Sequence, residues 1–203
     1  MAEKVLLQSD CLIYRVQSEE ELSSFSCGDS DLDEFFHSDA SLYDKQLLGK
    51  TYFFATISDD PRIVCAFTLA NDSIKAALIP NASRNRIQRN IPNSKRTRSY
   101  PAVLIGRLGV ALDFQGKGNG IGSQTIDYIA SWFLMPDNKT GCRFIVVDAY
   151  NRDEVLHFYE KNGFKVVFSA EQQEKDYRHI TSEIPLSTRL MYFDLMKTVK
   201  EYR

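Results

Sequence analysis

The chain has 203 residues, 43% hydrophobic and 26% charged, which is enough for one well-packed core and gives no reason for a second, so a single globular domain over 1–203 is expected. A formal net charge of −2 removes any whole-chain argument for a nucleic-acid or anionic-membrane partner. Charges interrupt the first residues, no run reaches membrane-spanning length, and Cys11, Cys27, Cys65 and Cys142 are widely spaced, so a soluble cytoplasmic protein with buried free thiols, no disulfide and no metal is expected.

Residues 11–16 read as a first strand, and Ser18-Glu19-Glu20-Glu21 opens a helical segment. A second helix is expected from about Ser30, with Asp31, Asp33 and Glu34 in its first turn and an apolar stripe of Leu32, Phe35, Phe36, Tyr43 and Leu47. Two strand patterns, 51–58 and 63–70, flank Asp59-Asp60-Pro61-Arg62 and predict a hairpin. The next stretch, 71–101, shows little apolar periodicity and is basic: Lys75, Arg84, Arg86, Arg89, Lys95, Arg96 and Arg98 face only Asp72. It reads as an insertion, either a solvated loop or a docking surface for a polyanion such as RNA.

The strongest signal follows. Residues 103–110 are largely apolar on both faces, as in a central strand, and Ile121, Ile126, Ile129, Ala130, Phe133 and Leu134 recur at helical spacing after it. Between them lies Gln115-Gly116-Lys117-Gly118-Asn119-Gly120-Ile121-Gly122. Glycines at a strand-to-helix corner let several backbone N–H groups converge on phosphate oxygens, and the helix adds the positive end of its dipole. A Walker A loop fails because Gly118 follows Lys117, and a dinucleotide fingerprint would put Ile121 or Ser123 at its third glycine. A second apolar strand comes at 144–147, then a short helix and Asn162-Gly163-Phe164, and 191–195 reads as the last strand.

The spacing of Gln115, Gly118 and Gly120 fits [Gln/Arg]-x-x-Gly-x-[Gly/Ala] and resembles the acyl-CoA-binding loop of the GNAT superfamily of N-acetyltransferases. The resemblance covers roughly residues 11–168. It implies an α/β (α+β) fold: a mixed, mostly antiparallel central sheet of about seven strands, helices on both faces and a splayed parallel strand pair. It also implies acetyl-CoA as cosubstrate and direct attack by a primary amine on the thioester. On that analogy Leu108, Gly109 and Val110 pair with the pantetheine arm, and the Val110 N–H polarises the thioester carbonyl. Gln115, Gly116, Lys117, Gly118, Asn119, Gly120, Gly122 and Ser123 surround the pyrophosphate. Asn151 matches a position where relatives contact the CoA arm, although a helix cap accounts for it equally.

Tyr159 holds the place of the tyrosine in the family's Phe-Tyr-x-x-x-Gly-Phe pattern, which protonates the leaving thiolate and borders the cofactor. His157 beside it reads as a surface residue. No Glu lies in the strand ending at Val110, Asp148 is a candidate base or a structural acid, and no base is assigned. Two further stretches, Phe25-Ser26-Cys27-Gly28 with Leu32-Asp33-Glu34-Phe35-Phe36, and Gly106-Arg107-Leu108, are similar to a GNAT subgroup that includes toxins acetylating aminoacyl-tRNA. The reading is an N-acetyltransferase whose amine acceptor, on a small molecule or a peptide, is left unassigned, with toxin-like acetylation of aminoacyl-tRNA as the subordinate alternative and homodimerisation left open. A non-catalytic acyl-CoA sensor or interaction module is the competing reading.

Overall fold

The computed structural model describes residues 4–92, 99–116 and 118–201, so Lys117 and, in the basic stretch, Lys95, Arg96 and Arg98 lie outside the described residues. Seven strands have the hydrogen-bonded order β1-β2-β3-β4-β5-β7-β6: β1 is Cys11–Arg15, β2 Lys50–Thr56, β3 Ile63–Ile74, β4 Tyr100–Val110, β5 Phe144–Tyr150, β6 Lys165–Val166 and β7 Thr188–Asp194. The pairing is mostly antiparallel, and the parallel pair is β4 with β5, registered over Ala102–Leu104 against Phe144–Val146. The mixed α/β fold expected from the sequence is the one observed. No helix among the described residues is long and apolar enough to cross a membrane.

The chain forms two compact units, Met1–Ala70 with Ile105–Trp132, and Asn71–Leu104 with Phe133–Arg203. In the first, α1 (Leu7–Asp10) leads into β1, and β1, β2 and β3 form an antiparallel meander in which Phe53 pairs with Ala66 and Phe54 with Cys65. Alternation then sends these residues to opposite faces. Phe54 and Cys65 meet α5 (Ile121–Leu134) through a Phe54–Tyr128 ring contact and a Cys65 Sγ to Thr125 Oγ1 distance of 3.3 Å. Phe53, Ala55 and Ala66 join Phe25, Phe35 and Phe36 in the core on the other face. Burying Phe25 and Phe36, at 2% and 1% exposure, stabilises by about 1.5–3 kcal/mol each.

The helix predicted from Ser30 runs as α2 (Ser30–Glu34), a π turn at Phe35–Asp39 and α3 (Ala40–Lys45). Asp29 caps it by accepting from Leu32 N at 3.3 Å. Its stripe holds through Leu32, Phe35 and Phe36, Tyr43 is exposed with its ring edge against Phe35, and Leu47 leaves the stripe: the helix has ended, Leu47 adopts φ +59° and is 88% exposed.

In the second unit the basic stretch departs from the loop expected. It continues β3 to Ile74, makes a short 3-10 turn at Ala76–Leu78 and forms α4 (Asn81–Gln88), anchored by Ile74, Ala76, Ile79, Ile87 and Tyr100 in a core shared with Phe144, Val167, Phe168 and Tyr192. Arg86 is not a solvated charge: it donates to Val166 O at 2.7 Å and Val167 O at 3.1 Å. Lys75 and Arg89 remain exposed. Helices α6 (Asp153–Lys161), α7 (Glu171–Arg178) and α8 (Met196–Glu201) complete this unit.

Candidate active site

In the first unit β4 ends at Val110, passes through a 3-10 turn at Leu112–Phe114 and enters the glycine corner before α5. Gly116, Gly118 and Gly120 have φ of +65°, +71° and +63°, and nothing lies within 4 Å of where a Cβ would stand on any of them. These glycines are therefore demanded by backbone shape and not by crowding. The corner opens to solvent beside the first turn of α5, whose N–H groups at Gly122 and Ser123 precede the first intrahelical bonds.

Two side chains brace this corner. Gln115 Nε2 donates to Cys27 O at 2.7 Å and to Val110 O at 2.8 Å, tying the entrance of the loop to the end of β4. Asn119 is 5% exposed and accepts from Val5 N at 3.3 Å, while Gln124 donates to Asn119 O and Val5 O and accepts from Leu7 N. The Gln115 and Asn119 side chains thus shape the loop and leave the backbone N–H groups to face a ligand. Gly109 has another reason to be glycine: a Cβ there would stand 3.2 Å from Cys27 and from Phe25, so the 25–28 turn rests directly on the β4 backbone. Leu108 and Val110 are half-buried on the opposite side of the strand.

A groove of about 670 Å³ is lined by Tyr14, Phe53, Ala55, Arg62, Leu112 and Phe114, among others. Phe53 and Ala55 in its lining belong to the sheet face away from α5, and the lining also includes Ala111, Leu112, Asp113 and Phe114, the turn that leads into the glycine corner.

In the second unit Tyr159 sits on α6 at 9% exposure, its ring 5.1 Å from Phe158 and 5.2 Å from Phe164. Burial pushes the phenol up to about 12, so it stays protonated. His157, two residues earlier, is exposed as expected. Asn151 is not a helix cap: α6 is preceded by Arg152, and the Asn151 amide donates to Leu186 O at 2.8 Å and to Glu171 at 3.4 Å. Asp148 is engaged by Arg178 at 2.5 Å, part of a network in which buried Glu174 also accepts from Arg178, Arg189 and Leu190 N. All four cysteines are free, and burial raises Cys11 and Cys27 to about 11 and Cys65 to about 12. Among the described residues no three His, Cys, Asp or Glu side chains group as metal ligands.

Sequence reasoning passed over α7, because its inward residues are Glu174 and Lys175 and no apolar stripe marks it. Arg107 carries no signal of its own in the sequence beyond Gly106-Arg107-Leu108. The structure shows that side chain stacked on Phe35, with Cζ 4.9 Å from the ring centroid.

Three solved structures overlay nearly the whole chain. A point mutant of KacT matches with TM-score 0.67 at 16% identity, over 96% of this chain and 100% of that one. AtaT complexed with acetyl-methionyl-tRNAfMet gives 0.65 at 18%, over 96% and 100%, and AtaTR bound with AcCoA gives 0.64 at 17%, over 96% and 99%. The chain has the GNAT fold. Within that fold the glycine corner follows the fourth strand, and the parallel pair is formed by the fourth and fifth. By sequence, a tRNA-acetylating toxin of Mycobacterium tuberculosis (strain ATCC 25618 / H37Rv) is 29% identical over 152 residues, 75% of this chain and 82% of that protein. No family model matches the chain.

Proposed function

We propose that this GNAT-fold chain is an acetyl-CoA-dependent N-acetyltransferase whose acceptor is the amino group of an aminoacyl-tRNA. The observation that carries the reading is the glycine corner. Three left-handed glycines with empty space in front of them and a fourteen-residue helix behind them make an anion site of the kind a diphosphate needs. The sequence relative and the AtaT complex, both named for acetylation or acetylated tRNA, support this acceptor. Other neighbours were solved with an antitoxin, which supports a restraining protein partner for this chain as well.

In the reaction the amine nitrogen attacks the thioester carbonyl, an N–C bond forms, and the C–S bond breaks with its electron pair going to sulfur. The Val110 N–H stabilises the oxygen that gains charge. A phenol held near 12 is a weak proton source by itself, so Tyr159 is best suited to donate a hydrogen bond to the departing sulfur while the nitrogen sheds its own proton. The net movement is one proton from nitrogen to sulfur. AtaT and KacT were each solved as tyrosine-to-phenylalanine mutants.

Tyr159→Phe tests this directly. It removes one hydroxyl without changing ring packing, so turnover should fall by roughly 10²–10⁴-fold while the affinity for acetyl-CoA and the melting temperature stay near wild type. Turnover equal to wild type would remove Tyr159 from the reaction. Stoichiometric acetyl-CoA binding by the wild type with no thiol release on any amine would favour the acyl-CoA sensor.

A further inference from the structure

Among the described residues three arginines have a buried Nε with no partner: Arg86, Arg107 and Arg143. Two of them are otherwise satisfied, Arg86 by the carbonyls of Val166 and Val167 and Arg143 by Asp194 at 2.9 Å. Arg107 is different. Its one hydrogen bond runs from Nη1 to the carbonyl of its own neighbour, Gly106, at 2.9 Å, and no carboxylate pairs with it among the described residues. A guanidinium carries five N–H donors; the buried Nε is closed off, and the Nη donors that the Gly106 carbonyl does not use are left for solvent or for a ligand's oxygens.

The surroundings hold this cation in one orientation. Phe35 lies under its plane at 4.9 Å and is itself fixed by edge contacts with Phe36 at 5.6 Å and Tyr43 at 5.1 Å. Phe35 begins the π turn of the second helix, an irregularity that often accompanies a functional position. Stacking on an aromatic face leaves the edge of the fork, with its paired donors, directed at whatever comes next; that edge matches the oxygens of a phosphate in a bidentate contact.

Position supplies the ligand. Arg107 is three residues before Val110 on β4, roughly 10 Å along an extended strand. In an aminoacyl ester on the terminal 3′-hydroxyl of a nucleic acid, the amino nitrogen is eight bonds from the 5′-phosphorus of the same nucleotide, also roughly 10 Å at standard bond lengths. We infer that Arg107 clamps the phosphodiester of the acceptor's terminal nucleotide and so positions the amine at the thioester. This assignment rests on the aminoacyl-tRNA reading above.

The test uses the purified full chain and two acceptors with the same amine and ester: aminoacyl-tRNA, and the aminoacyl 3′-ester of adenosine, which has no phosphate. Arg107→Gln should raise KM for aminoacyl-tRNA by about ten- to a hundredfold, the range for losing a charge-assisted contact. It should leave kcat/KM on aminoacyl-adenosine and KM for acetyl-CoA unchanged, the latter also reporting that the variant is folded. Arg107→Lys should recover only part of the loss, because a single ammonium cannot form the fork. Equal losses on both acceptors would make Arg107 a packing residue, a raised KM for acetyl-CoA would assign it to a phosphate of the cofactor, and no change would leave it without a role; each overturns the inference. Failure of the wild type itself to acetylate aminoacyl-tRNA would be seen before any variant is made, and would overturn both the acceptor and the clamp.

Discussion

Gly118→Ala adds a single methyl group to the corner that should hold the diphosphate. Gly118 is exposed at φ +71°, and its Cβ would touch nothing within 4 Å, so the substitution introduces backbone strain and no collision. Alanine in the left-handed region is disfavoured by about 1–2 kcal/mol. In the free protein an exposed loop can relax to a negative φ and avoid that strain, so the melting temperature should hold. Binding then has to restore the left-handed shape, and the strain reappears as a loss of affinity of about 5–30-fold. Isothermal titration with coenzyme A and thermal unfolding of the same sample measure both halves. Gly141→Ala is the control, since Gly141 has an ordinary φ and equally open surroundings and should change neither quantity. An affinity within twofold of wild type for Gly118→Ala, with an unaltered melting temperature, would refute the claim that this shape is what the ligand needs.

Glu174→Ala should be far more damaging to the fold: Glu174 is fully buried and accepts from Arg178, Arg189 and Leu190 N, so removing it leaves Arg189 without its carboxylate and the Leu190 N–H without its acceptor, while Arg178 keeps Asp148, and costs about 3–5 kcal/mol. At 203 residues that lowers the melting temperature by roughly 10 °C, and a drop under about 2 °C would contradict the network's importance. Stability should also fall at alkaline pH. Cys65 ionises at 9.0 when unfolded but about 12 when folded, so its contribution is complete below pH 9 and disappears as the pH climbs through 12, about 4 kcal/mol at most. Urea titrations across that range should give a shallower decline for Cys65→Ser; identical slopes would argue against a protonated buried thiol.

The parts that could be read in the sequence are those where one chemistry dominates. Alternating Phe53 and Phe54, the largely apolar run before Val110, interrupted only by Arg107, and the Ile121, Ile126 and Ile129 spacing each have a single physical solution, and the strands and α5 appear where those patterns are. The glycine corner was legible because left-handed backbone has few residues to choose from. What stayed hidden is polar on the inside. Helix α7 buries Glu174 and Lys175 within a set of ion pairs, and periodicity of apolar residues cannot register that. Helix α4 holds on through Ile87 and Ser83 while Arg86 reaches backbone carbonyls far away in sequence, so composition alone made it look like loop. Leu47 shows the reverse error: helical spacing suggested a core position, but a left-handed turn had already ended the helix. Gln115 and Asn119 were legible as members of the loop; that their side chains brace it from behind depends on Cys27 and Val5, distant partners that spacing does not disclose.

The central claim is that the corner between β4 and α5 grips a diphosphate and thereby delivers the thioester. Comparing acetyl-CoA with acetyl-pantetheine, which keeps the thioester and the arm but lacks the phosphates, isolates that contribution in one kinetic measurement. The account predicts that kcat/KM for the truncated donor falls by at least a hundredfold on the same amine acceptor; equal efficiency with the two donors would contradict it.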